Sequence, residues 1–154
     1  MVEASAITEE IRAMLDIEVG PRTYKIEKWM LKKFADVIDD PNPLWQDEVY
    51  ARKTNYRGII ASPTFVANFC KLDEQEEWFS SVKCPLTRIL AGGCEIENFQ
   101  PVMPGDLISV TGKLVDLQER KGKSGNLLFF TFERTYKNPK EEVVTKLRWT
   151  LIRH

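Results

Sequence analysis

The sequence predicts an α+β domain, and three features carry that expectation. A helix-period apolar pattern runs through the first third of the chain. A second, almost wholly apolar stretch, Ile59 to Leu72, reads as a buried helix. From residue 107 onward the period changes to two, in three long runs joined by short polar loops. An antiparallel sheet with one covered face, preceded in sequence by the helix that covers it, satisfies all three.

The elements follow in order. Thr8 to Leu15 is predicted as a short helix, with Thr8 at its N-cap and acidic residues in its first turn. Gly20-Pro21 is expected to end that region, and Arg22 to Ile26 to form a short strand. Glu27 to Ile38 is an amphipathic helix with Ile26, Met30, Phe34 and Val37 or Ile38 on its apolar face. Pro41 and Pro43 stop it, so Asp39-Asp40-Pro41-Asn42-Pro43 is a rigid polar turn. Asp47 to Lys53 forms a further short helix.

In the apolar stretch, Ser62 is expected at the N-cap and Pro63 at the first helical position, with Phe65, Phe69 and Leu72 on one face. The acidic run Asp73 to Glu77 reads as a solvated turn. Gly92-Gly93 marks a bend or bulge near a sheet edge. Strands are expected over Leu107 to Val115, with Ile108, Val110 and Leu114 on one side, over Leu127 to Tyr136, and over Val143 to Ile152. Arg120 to Asn126 and Lys137 to Glu142 are the hairpin connections. The basic residues Arg120, Lys121 and Lys123 read as a solvated loop rather than a phosphate site.

A chain of 154 residues fits one domain, taken as residues 1–154, with enough length for a substantial core. A formal net charge of -1 argues against nucleic acid and against anionic membrane as partners. No apolar run is long enough to span a bilayer and residues 1–11 have no hydrophobic signal core, so a cytoplasmic location is expected. Cys70, Cys84 and Cys94 show no metal-ligand spacing, and neither metal nor other cofactor is expected. His154 is the single histidine and the last residue, so the chain is expected to bring no imidazole to its own chemistry.

The segment Phe34-Ala35-Asp36-Val37-Ile38-Asp39-Asp40-Pro41-Asn42-Pro43-Leu44-Trp45-Gln46-Asp47 resembles the hydratase signature of the MaoC-like dehydratases. That signature runs Phe-Ala, two residues, Ser-Gly-Asp, one residue, Asn-Pro-Leu-His, one residue, Asp. Ile60-Ala61-Ser62-Pro63-Thr64-Phe65 stands where the family has Ile-Ala-His-Gly and an apolar helix, and Pro101-Val102-Met103-Pro104-Gly105-Asp106 matches its Pro-Val-x-x-Gly-Asp approach to the long strands. The resemblance covers roughly Ile17 to Arg153 and is nearest to the branch called FAS1-like dehydratase domains. It implies a hot-dog fold, a long central helix wrapped by a curved antiparallel sheet. It further implies pairing of two such units, with an acyl-CoA or acyl-carrier-protein thioester at their interface.

The family's reaction uses an Asp and a His to hold and deprotonate water, and a backbone N–H at the central helix to bind the thioester oxygen. Asp40 stands at the carboxylate position. Trp45 stands where the histidine belongs, and an indole N–H donates a hydrogen bond but accepts no proton. Ser62 and Pro63 replace the His-Gly pair, and Pro63 has no N–H, although Thr64 has one to offer at the helix start. Related enzymes with such losses pair a degenerate chain with an intact one. The resemblance therefore implies an accessory subunit of an (R)-specific enoyl-thioester hydratase or 3-hydroxyacyl-thioester dehydratase, in a heterodimer, with a homodimer as the other arrangement. A non-catalytic acyl-thioester-binding protein and a hot-dog thioesterase using Asp40 are the alternatives. The candidate residues each keep two readings. Asp40 is a catalytic carboxylate or a turn residue; Trp45 is a pocket wall or a filler of a lost site. Asn42 braces the turn or meets substrate, and Gly58, Ser62 and Thr64 set the helix start or touch the thioester.

Overall fold

Period-two patterning builds the larger part of the molecule. The computed structural model describes residues 5–123 and 125–154. Among these residues five strands form one antiparallel sheet: β1 (Val19–Lys25), β2 (Ile89–Asn98), β3 (Leu107–Gly122), β4 (Gly125–Lys137) and β5 (Val143–Arg153). Their spatial order is β1-β3-β4-β5-β2, which leaves β1 and β2 as the edges. The three long runs lie side by side in the centre, joined by tight hairpins, because sequential strands pair where loops are short. On β4 the even-numbered residues Leu128, Phe130, Phe132 and Tyr136 are all buried, so one face is covered throughout.

Among the described residues six helices supply that cover: α1 (Glu9–Arg12), α2 (Lys28–Val37), α3 (Pro43–Gln46), α4 (Glu48–Arg52), α5 (Phe65–Phe69) and α6 (Asp73–Ser81). Two cores result. Phe65, Val66 and Ala67 of α5 meet Ile108, Val110, Tyr136 and Leu147 of the sheet, together with Leu31, Ala35 and Trp45. Phe65 sits edge-on to Phe34, at 5.5 Å between ring centroids. Towards the other end, Ile11 and Met14 join Phe79, Val82, Phe130 and Phe132.

Several expectations hold in place. Thr8 caps α1, its hydroxyl accepting from Ile11 N–H, and Asp47 caps α4. Gly92-Gly93 lies at a register shift on edge strand β2. Others need correction. Gly20-Pro21 does not end a region but sits inside β1, where a bulge between Val19 and Arg22 absorbs the irregular pair. The buried stripe of α2 is Leu31 and Ala35, flanked by Met30 and Phe34; Val37 lies about 200° around the helix from Ala35 and is 74% exposed.

The central helix is shorter than the apolar stretch that predicts it. Ser62 is not its N-cap: Thr64 takes that place without a side-chain bond, and Phe65 N–H donates to Ser62 O at 3.0 Å. At the other end Cys70 leaves the helical region, and Leu72 drops into the core. Asp73 to Glu77 is not a turn but the start of α6, because Gln75 and Phe79, four residues apart, bury the same face while three acids occupy the favourable first turn. The β3–β4 hairpin is also tighter than expected, so Arg120 lies within β3, its guanidinium 4.7 Å over the Phe129 ring.

Candidate active site

The turn after α2 is built by its own polar groups. Asp39 takes a positive φ of 52°, which reverses the chain, and Asp40 N–H donates back to Ala35 O at 2.9 Å. The Asp40 carboxylate accepts from Asn42 N–H at 3.1 Å, and the Asn42 side chain accepts from Leu44 N–H at 3.0 Å, capping α3 with Pro43 at its first position. Gln46 Nε2 donates to Asp40 O at 2.6 Å. Trp45 swings inward to 7% exposure, packed in the same core as Leu31, Ala51, Ile59 and Phe65. Its Nε1–H has no partner among the described residues.

The later landmarks meet one another and the start of α2, at the other end of that helix from Asp40. Ala61 N–H donates to Val102 O at 2.7 Å, and a Cβ on Gly58 would lie 3.3 Å from Met103 Cε. Gly105 N–H donates to Ile26 O and Ile26 N–H to Asp106 O, while the Asp106 carboxylate accepts from Met103 N–H. The base of α2 is thus pinned to the Gly105-Asp106 turn. Gly105 needs its φ of +96° there, a conformation that side-chain-bearing residues rarely adopt. A cavity of about 270 Å³ opens beside this junction, lined by Tyr56, Ser62, Pro63, Asn98, Val102 and Thr145 among others. Asn98 bridges it, donating to Pro63 O at 2.9 Å and accepting from Thr145 Oγ1 at 2.9 Å. Ser62 is 5% exposed, with its hydroxyl unpartnered among the described residues.

Of the six candidates, Asp40, Asn42 and Trp45 share the turn, while Gly58, Ser62 and Thr64 lie along the approach to α5. Ser62 alone of the six lines the small cavity. The hydrogen bonds of Asp40 run to Ala35, Asn42 and Gln46, none of which is a base. His154 pairs by its backbone with Arg88, extending the β2–β5 ladder. Burial pushes the Cys70 thiol and the Tyr136 phenol each up to about 12, so neither supplies an anion near neutral pH. The hydrogen bond from Lys28, with Arg52 beside it, holds the Glu48 carboxyl below its usual range at the protein surface.

Sequence reasoning missed a polar group under α6. Arg134 is 4% exposed; Nε donates to Gln75 Oε1 at 2.9 Å, and Nη2 to Leu72 O at 3.3 Å and Glu76 Oε1 at 3.2 Å. Its guanidinium lies 4.8 Å over the Trp149 ring. The signal was present: Arg134 shares the inward phase of Phe130 and Phe132, and a charge in that phase is buried.

Comparison with known proteins places this geometry. Residues 13–147 match the family described as FAS1-like, dehydratase domain region. An UPF0336 protein of Thermobifida fusca is 25% identical over 135 residues, covering 86% of each chain. The ChsH1-ChsH2 complex from Mycobacterium tuberculosis contains a chain that superposes with a TM-score of 0.75 at 19% identity, over 88% of this chain and 83% of that one. A chain of the HadBC (3R-hydroxyacyl-ACP dehydratase) complex, also from Mycobacterium tuberculosis, gives 0.75 at 19%, over 90% and 96%. The architecture is the hot-dog fold of the MaoC-like dehydratases.

Proposed function

The chain belongs to the FAS1-like dehydratase region family, and from that premise we propose that it is the accessory subunit of a heteromeric (R)-specific enoyl-thioester hydratase or 3-hydroxyacyl-thioester dehydratase. One observation carries the reading. The position that should present an imidazole holds a buried indole, and no base hydrogen-bonds to Asp40 among the described residues. Adding water to an enoyl thioester requires a base for the water and an acid for the α-carbon. A partner of the same fold supplies that Asp and His, while this chain shapes the acyl pocket with Trp45, Gly58, Ser62 and Thr64. Asp40 and Asn42 hold the turn that positions them.

Two further features support a subunit role. Strand β2 is an edge with its backbone open to pairing, and Ile89 and Leu90 on it are about half exposed. Both solved relatives named above are complexes of unlike chains. A cytoplasmic setting is part of the proposal; among the described residues no helix is long and apolar enough to cross a membrane.

The test is reconstitution. The purified chain should show no hydration of a crotonyl-type thioester, and co-expression with a hot-dog partner carrying intact Asp, Asn-Pro and His should give a stable complex that does. Robust hydration by the chain alone would overturn the proposal. Release of free thiol from acyl-CoA, abolished by Asp40→Ala, would transfer the assignment to a thioesterase.

A further inference from the structure

Strand β2 is exposed along nearly its whole length, and its outer edge pairs with no described strand. The open N–H and C=O groups of such an edge are a template for a further strand. Its side chains divide between two faces. Ile89, Ala91, Cys94 and Ile96 lie on the face that carries the helices, at the rim of a cavity of about 800 Å³. Leu90, Glu95 and Glu97 lie on the other, opposite Ile152, Arg148 and Lys146 of β5. That outer face is therefore apolar where β2 begins and acidic where it ends.

The two carboxylates are unpaired within the described chain. Neither makes a side-chain hydrogen bond or an ion pair with a described residue. Arg148 donates instead to Glu133 Oε2, at 2.8 Å, which leaves Lys146 facing both acids among the residues that line this patch.

A second copy fits this edge poorly. Self-pairing of an edge about a two-fold axis is antiparallel. Centred on Cys94, near the middle, it runs the apolar half of each strand along the acidic half of the other. Centred on Ile96, it sets Glu95 of each copy opposite Glu97 of the other, and like charges directly opposite destabilise a ladder. Centred on Leu90, it overlaps only Ile89, Leu90 and Ala91 within the strand, about half a usual strand.

We propose that β2 takes the edge strand of an unlike chain, antiparallel to it, with Lys or Arg opposite Glu95 and Glu97 and an apolar side chain opposite Leu90, and that the same acids keep the chain from pairing with itself. What that partner catalyses rests on the hydratase reading; the pairing rule does not.

Sedimentation equilibrium of the full chain tests the rule, with the Glu95→Lys/Glu97→Lys variant as the basic-edged probe. Parent and variant mixed should associate at least about tenfold more tightly than either does alone, and the gain should shrink as sodium chloride rises to about 0.5 M. Reversing Glu9 and Glu10 of α1, which are not on the sheet edge, to Lys should give no gain. If the double variant fails to fold, Glu95→Lys alone should give a gain of about threefold. Self-association of the parent as tight as its binding to the variant, an equal gain from the α1 reversal, or a gain indifferent to salt would overturn the proposal. In the reconstituted complex the double variant should bind the partner at least about tenfold more weakly, and unchanged affinity there would also overturn it. Failure of a reconstituted complex to hydrate its substrate would sink the hydratase reading and leave the parent–variant association as it is, so the two ideas fail separately.

Discussion

Trp45 is the residue whose replacement tells most. It is 7% exposed, fills space among Leu31, Ala51, Ile59 and Phe65, and holds an indole N–H with no partner among the described residues. Trp45→Ala removes the whole side chain from that core and should cost about 3–5 kcal/mol. Trp45→Phe has two opposed terms. It removes a buried orphan donor, returning on the order of 1–3 kcal/mol of desolvation. It also removes apolar ring volume of one to two methylenes, a loss of roughly 1–1.5 kcal/mol. The expected result is stability within about 1 kcal/mol of the parent, or above it. Urea denaturation at pH 7, followed by far-ultraviolet circular dichroism, measures both variants against the parent. A loss above about 2 kcal/mol for Trp45→Phe in the isolated chain would refute the reasoning. It would mean that the indole N–H is bonded in solution and that position 45 is more than a filler. In the reconstituted complex the same variant separates wall from donor: turnover should persist if the ring merely lines the pocket.

Further expectations follow from the same packing. Trp45→His should destabilise the chain and still give no hydratase activity in the isolated protein, because Ser62-Pro63 has also replaced the second half of the site; a coupled assay on crotonyl-CoA checks this. Gly112→Ala drives a Cβ to within 2.8–2.9 Å of the Gln75 amide and should cost about 1–3 kcal/mol. Adding Gln75→Ala should make the double loss smaller than the sum of the single ones, read from urea midpoints. In alkali, the folded state holds the Cys70 and Tyr136 protons more tightly than the unfolded chain does. Their contribution to stability is whole below the ordinary thiol and phenol values of 9.0 and 10.0, and is lost as pH rises towards about 12. Urea midpoints from pH 7 to 11 should fall with that profile, and Tyr136→Phe should flatten it.

Periodicity made much of this fold legible. Alternation put Ile108, Val110, Leu114, Phe130 and Phe132 inside, and the double proline fixed the end of α2. What escaped depended on contacts between distant segments. The apolar stretch from Ile59 promises a long helix, but Leu72 is drawn into the core and Asn98 holds Pro63, so only Phe65 to Phe69 is helical. The acidic run after it looks like solvent-exposed loop until Gln75 and Phe79 are seen on one face beneath Arg134. The turn at Asp40 was readable in chemistry and geometry alike, because its bonds are local. The unpartnered Ser62 and Gln75 were not, because a missing partner is a property of the packed state.

The same contrast bears on what the shared landmarks mean. Asp40 and Asn42 close the turn onto α3, Gly105 and Asp106 clamp the base of α2, and Ala61 ties the approach to α5 to Val102. Each of these bonds would be needed whether or not the site turned over. Retention of the landmarks therefore argues for the fold and is neutral on catalysis. At 45, 62 and 63 the chain departs from the hydratase pattern, and there Ser62 and Pro63 join the scaffold through their backbone carbonyls, which accept from Phe65 N–H and from Asn98, rather than through their side chains. Under the proposed accessory role, a carboxylate held in a turn beside a buried indole is the state expected of a chain that leaves proton transfer to its partner. On that argument Asp40→Asn, which preserves the turn acceptor for Asn42 and discards the charge, should leave both the stability of the chain and the turnover of the reconstituted complex within twofold of the parent. A loss of turnover beyond a hundredfold in the complex, at unchanged stability, would assign Asp40 to the reaction.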